Sequence, residues 1–366
     1  MDAMTRARET GQSNRTRLVV TALATVLLAG GVTALVARGA AADPVLPPLS
    51  AQELLTRVAT AEVDGLSATF VQRSDLGLPA LPAGLGEAGA DWQGALGLLT
   101  GEHTFRVWQA GEDHSRVSLV DGDAETSLIR AGDQVWAWSS AEQEVGHGRL
   151  DPDAQHERPA GMPATPAEAA TDLLDALEPD TDITTSGTGY VAGRAVYQLI
   201  LSPRDAASLV GQVRVSVDAG EFVPLGLRVF TRDGSDAVSV TATSVDFAVP
   251  PATVFDFTPP PGAKVTEWDA AKAERPDRPE QTSEPERFGT GWTTVAVFEV
   301  DQKTDDPTGD DADLKALLES LPAVSGDWGS GRLLSTSLLN AVITDDGRAA
   351  VGSVSEDRLY AALAQR

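Results

Sequence analysis

A run of short alternating segments parted by tight polar turns constrains this chain more than any other feature. Residues 103–108 read His-Thr-Phe-Arg-Val-Trp, residues 115–120 Ser-Arg-Val-Ser-Leu-Val, residues 126–130 Thr-Ser-Leu-Ile-Arg and residues 134–139 Gln-Val-Trp-Ala-Trp-Ser. Ala-Gly-Glu-Asp, Asp-Gly-Asp and Ala-Gly-Asp stand between them. Apolar and polar side chains alternate in most of these pieces, the period of a strand with one buried face. Glycine beside an acidic residue is hairpin turn chemistry. Consecutive hairpins make an antiparallel meander with one apolar face, and that face has to be covered.

The chain has 366 residues, enough for two or three domains. Its net charge of −26 argues against nucleic acid as a partner, because phosphate binding needs a basic surface. Cysteine is absent, which removes disulfides, thiolate catalysis and cysteine-ligated metals. Near the N-terminus, Arg6, Arg8, Arg15 and Arg17 precede an uncharged run over residues 18–36, and Ala40 and Ala42 have the spacing of a cleavage site. Residues 1–42 therefore read as a signal peptide or as a retained transmembrane anchor. In both cases the arginines place the remainder outside the cytoplasm, secreted or facing outward at the cell membrane.

Residues 44–49 form a proline-rich tether, and Ser50 with Glu53 makes a capping box that opens a helix. A strand follows from Leu66. Residues 75–101 are a long Leu-, Pro- and Gly-rich segment of the kind that forms a lid. After the meander, Thr165 caps a second helix, and strands resume from Thr181 to Phe247. Charge and proline over residues 263–289 read as a linker, and residues 290–366 as a small α+β module.

No Gly-x-Ser-x-Gly or His-Glu-x-x-His motif occurs, so no catalytic residue, metal ligand or cofactor is assigned. Asp151, Asp153, His156 and Glu157 read as solvated loop charges. The glycine-rich Gly326–Gly331 stretch lacks the Lys of a phosphate loop and reads as a turn.

The capped helix, first strand, apolar loop and meander, with Leu66-Ser67, residues 75–82 (Asp-Leu-Gly-Leu-Pro-Ala-Leu-Pro), Val107-Trp108 and residues 135–140 (Val-Trp-Ala-Trp-Ser-Ser), resemble the actinobacterial members of the lipoprotein-carrier (LolA-like) superfamily. The resemblance covers residues 49–262, closing on residues 249–259 (Val-Pro-Pro-Ala-Thr-Val-Phe-Asp-Phe-Thr-Pro). It implies an α+β fold: an open antiparallel β half-barrel over residues 43–262, capped by helices, with an apolar cavity for lipid or lipoprotein acyl chains. The added C-terminal module is similar to the arrangement of the sigma-E regulator (RseB-like) branch, which implies an anti-sigma factor or other membrane protein as partner. Alternation assigns Leu66, Phe70, Phe105, Val107, Val117, Leu119, Trp136, Trp138, Leu225 and Leu227 to the cavity, and Leu76, Leu78, Leu81 and Leu85 to its lid. The main expectation is an extracytoplasmic acyl-chain carrier, and the alternative is an envelope-stress regulator or scaffold.

Overall fold

The computed structural model describes residues 45–78, 100–150, 174–187, 189–269, 285–300 and 318–365. Strand β1 (Gly65–Ser74) opens an antiparallel ladder with β2 (Gly101–Ala110), β3 (His114–Asp121), β4 (Ala124–Ala131), β5 (Gln134–Ser139) and β6 (Glu144–Arg149). A second run holds β7 (Thr181–Ser186), β8 (Tyr190–Val191), β9 (Arg194–Pro203), β10 (Val210–Asp218), β11 (Pro224–Thr231) and β12 (Asp236–Asp246). Strand β12 returns beside β1 and joins the two runs, and β13 (Lys264–Asp269) adds to the far edge. The result is one open sheet in the order β13-β6-β5-β4-β3-β2-β1-β12-β11-β10-β9-β7, with β8 paired to β9.

The predicted turns form where glycine supplies a left-handed backbone. Gly111, Gly122 and Gly132 have φ of 58°, 55° and 64° at the three successive hairpins. The capping box also forms. Glu53 N–H donates to Ser50 Oγ at 3.2 Å and Ser50 N–H to Glu53 Oε2 at 2.9 Å, opening helix α1 (Ala51–Ala59). Leu54 of α1 is fully buried against Tyr197, Leu199 and Val217, with Ile183, Leu201 and Val215 around them.

Several sequence readings change. The proline-rich stretch before α1 is packed rather than free: Leu46 and Leu49 join the Leu54 cluster. Leu46 N–H donates to Gly187 O at 3.3 Å, and Tyr197 OH to Pro47 O at 3.0 Å. The linker read over residues 263–289 begins and ends in strands. Its first part is β13, paired parallel to β6, and residues 286–288 form β14 (Glu286–Phe288). The expected transmembrane helix is also corrected. Among the described residues no helix is long and apolar enough to cross a membrane, and residues 18–36 lie outside them.

The smaller sheet has the order β14-β15-β19-β18-β17-β16. It is built from β14, β15 (Val295–Glu299), β16 (Ala323–Gly326), β17 (Gly329–Ser335), β18 (Asn340–Thr344) and β19 (Arg348–Gly352). The single strand expected over residues 333–343 is thus two strands and a turn. Helix α2 (Glu356–Leu363) buries Leu359, Ala362 and Leu363 against Val297, Val342 and Ala350. Arg348 Nη1 donates to Leu363 O at 3.0 Å, a cation at the helix C-terminus.

One ion pair closes the turn between β10 and β11. Asp218 is 1% exposed and accepts from Arg194 Nε at 2.5 Å and Nη2 at 3.0 Å. Burial raises its carboxyl pKa. The Arg194 bonds, the Glu221 and Gly220 N–H groups and the Arg194 charge outweigh that and hold it below the ordinary value. Asp218→Asn is expected to cost about 2 kcal/mol in urea unfolding, because hydrogen bonds to a charged group are removed. The contribution of the pair is complete above the unfolded carboxyl pKa near ~4 and fades as pH falls through the lower folded value, so the wild-type to variant difference shrinks in acid.

Candidate ligand-binding face

Directly paired residues of neighbouring strands point to the same side of a sheet. Phe70 pairs with Phe105, and Phe105 with Leu119. Ala68 pairs with Val107, Val107 with Val117, and Val117 with Leu128. In the other direction Phe70 faces Ala242, Val240 pairs with Leu227, Leu227 with Val215, and Val215 with Leu199. Helix α1 lies on Leu199 and Val215. One apolar face therefore runs continuously from Leu128 to Leu199, with α1 covering its β9–β10 end.

The cover is uneven. Phe105, Val117 and Leu66 are buried. Val107, Leu119, Leu128, Val213, Val215, Leu227 and Val229 on this side are only half-buried. Leu225 is fully buried at the irregularity between β10 and β11, where it clusters with Val196, Ala242, Phe70 and Val245. The structure thus brings Leu66, Phe70, Phe105, Val107, Val117, Leu119 and Leu227 to one face, with Leu225 packed beside Phe70.

Trp136 and Trp138 lie on the opposite side. Trp136 pairs with Ile129 and His147, and Trp138 with Ser127 and Val145, whereas Ala137 pairs with Leu128. The chain after β12 covers both: Phe257 sits 5.5 Å from the Trp136 ring and 6.3 Å from that of Trp138. Arg116 Nη1 donates to Val254 O at 3.2 Å, and Phe255 meets His114 edge to face. Beneath lies a polar network. Arg116 Nη2 donates to Glu125 Oε1 at 3.0 Å, Ser127 Oγ to the same oxygen at 2.6 Å, and Ser118 and Ser127 hydroxyls meet at 2.8 Å. Burial raises the Glu125 carboxyl pKa, but the two serines and Arg116 overcome it and hold it low. The tryptophans are packing residues of this back face.

Of the lid residues, Leu76 and Leu78 follow β1. Leu76 and Leu78 are half-buried, and the Leu76 carbonyl accepts from Ser337 N–H at 2.8 Å. Leu81 and Leu85 lie outside the described residues, as does most of the second predicted helix. Among the described residues no group of three or more His, Asp or Glu side chains could hold a metal ion.

Sequence reading missed the junction between the two sheets. Leu209 N–H donates to Ser353 O at 2.8 Å beside a bridge between Ser208 and Val354. Trp292 Nε1 donates to Thr181 Oγ1 at 2.8 Å, and Ser337 Oγ to Asp75 O at 3.2 Å. The smaller sheet is thereby held at three separated points of the larger one.

No family model and no curated protein matches the sequence. Among solved structures, the Pseudomonas aeruginosa MucA/MucB complex is similar at 16% identity, over 86% of this chain and 96% of that one, with a TM-score of 0.43. A protein of Thermus thermophilus matches at 12% identity over 60% and 99% of the two chains, with a TM-score of 0.34. A LolA superfamily protein of Nitrosomonas europaea matches at 12% over 57% and 99%, with a TM-score of 0.24. The chain is remotely similar to each.

The register separates the two faces experimentally. If a fluorescent fatty acid binds on this face, Leu119→Gln and Leu227→Gln are each expected to weaken it by about tenfold, since covering a half-buried leucine contributes on the order of 1.5 kcal/mol. Trp136→Leu on the back face is expected to leave it within about twofold. A fluorescence titration of the three variants checks both.

Proposed function

We propose that this chain is an extracytoplasmic scaffold or regulator of the cell envelope that holds a segment of a membrane protein, with the C-terminal module forming part of the docking surface. The observation that carries this reading is the three-point attachment of the smaller sheet. A diffusing carrier needs only its cavity. Here a second unit with its own core, including Trp328 stacked on Tyr360 at 5.4 Å, is fixed against the turn ends of the first. Beside that junction Leu339 is left 44% exposed in the β17–β18 turn, where a partner would cover it. The arginine-led N-terminal signal supports a place outside the cytoplasm.

A second reading, acyl-chain binding, is favoured by the half-buried stripe of Val107, Leu119, Val215 and Leu227. Each buried methylene of a ligand would contribute ~0.8 kcal/mol there. The two readings are compatible if the apolar face senses lipid while the junction holds protein.

A photo-crosslinking amino acid at position 339 is the test, with position 265 on the distant β13 edge as control. A single membrane protein trapped from 339 and not from 265 is the expected result. No protein adduct from 339, together with an acyl lipid that co-purifies, would replace the scaffold reading by the carrier reading.

A further inference from the structure

On the back face of β10 and β11, two arginines stand directly opposite each other. Arg214 pairs with Arg228 across the ladder, and Gln212 pairs with Phe230 next to them. Like charges in this position repel. Both guanidinium groups lie over the Phe230 ring, at 5.4 Å for Arg214 and 4.8 Å for Arg228. Arg228 is neutralised by Asp236, which accepts from its Nε at 3.0 Å and its Nη2 at 2.5 Å. Arg214 has no such partner among the described residues. Its Nη2 donates to Gln212 Oε1 at 2.8 Å, and its Nε is shielded from solvent with no hydrogen-bond acceptor. A shielded donor on a charged group without an acceptor is costly.

Of these side chains Gln212, Arg214 and Phe230 line an open groove of about 340 Å³ with Thr231, Arg232, Gly211 and Gly234, and the Arg228–Asp236 pair stands beside it. A Cβ on Gly211 would lie 2.3 Å from Thr231 O, so the floor there is bare backbone by necessity. Arg232 brings a second positive charge to the lining, and its own bonds run to the carbonyls of Ser208 and Asp205 rather than to a carboxylate. The lining thus carries two guanidinium groups and no carboxylate, with the neighbouring Asp233 carboxylate engaged by Thr231 Oγ1 and the Ser235 N–H, in a chain of net charge −26. It also adjoins the junction, since Arg232 N–H donates to Leu209 O at 2.9 Å and Leu209 N–H to Ser353 O.

We propose that this groove is a carboxylate-binding site that takes an acidic peptide segment of a protein partner, an inference that rests on the scaffold reading above. Beside the groove, Arg228 and Asp236 show how a guanidinium on this face holds a carboxylate, and Arg214, which lines the groove and has no carboxylate partner among the described residues, offers its guanidinium to another. Phe230 and the bare Gly211 floor receive the aliphatic stem of a glutamate and its backbone. An anionic membrane would have to approach the acidic body as well as the groove and is disfavoured, whereas a peptide is confined to the groove.

The experiment is fluorescence anisotropy of labelled octaglutamate with the full chain at low and high salt. Binding is expected to weaken with salt, to be absent for octaglutamine, and to fall about tenfold in Arg214→Gln, with Arg73→Gln unchanged. Arg214→Lys, which keeps charge but loses the fork, is expected to lie between. Arg228→Gln, at a side chain 44% exposed, gives a second variant that does not challenge the core and is expected to weaken binding too. Octaglutamate binding equally well to wild type and to both glutamine variants would overturn the proposal. So would phosphatidylglycerol vesicles or inorganic phosphate binding where octaglutamate does not. If octaglutamate does not bind while crosslinking from position 339 persists, the carboxylate site falls and the scaffold reading stands.

Discussion

Pairing register is the constraint on which the rest of this molecule depends. From β6 to β7 each strand except β13 and β8 finds its neighbours in one antiparallel ladder, so one slipped residue would exchange the two faces of a whole strand. The register puts Phe105, Val117 and Leu227 on the side that α1 covers, and Trp136, Trp138 and Arg116 on the side that the chain after β12 covers. The two covers differ in kind. Helix α1 buries leucine on leucine, whereas residues 250–258 are held by aromatic contacts and by one arginine that a serine–glutamate network anchors. The first leaves much of its side half-covered, and the second seals packing residues that look functional in isolation.

Turn chemistry was legible in the sequence because it is local. Glycine beside aspartate or glutamate marked three hairpins, and Ser50 with Glu53 marked the start of α1. The face of β5 was not legible, since Val135-Trp-Ala-Trp138 is apolar at every position and a period of two cannot choose a side. Strand β13 escaped notice because Lys264, Glu267 and the prolines before it have linker composition, while its partner β6 lies 120 positions earlier. The packed stretch around Leu46 and Leu49 hid behind its prolines in the same way.

The arginine groove could not be read from sequence at all. Arg214, Arg228 and Phe230 are unremarkable one by one, and only the pairing of β10 with β11 sets them side by side. The register irregularity next to Gly211 and the turn that carries Arg232 then shape the hollow. Side chains that meet across strands are invisible to periodicity, which reports how one strand faces its surroundings and not what it faces.

The junction between the sheets has a consequence for how the molecule assembles. Its three bonds join residues far apart in the chain: Trp292 to Thr181, Ser353 to Leu209 and Ser337 to Asp75. None can form until the hairpins that position Thr181, Leu209 and Asp75 are closed, so the loop-closure entropy of these contacts falls late. Most pairings of the larger sheet join neighbours along the chain, but β1 with β12 and β6 with β13 close long loops. The smaller sheet, made last during synthesis, then docks onto a surface that exists only once the ladder around β1, β7 and β9 is complete. A ladder slipped by one residue would carry Thr181 Oγ1 and the Leu209 and Asp75 backbone groups away from these partners.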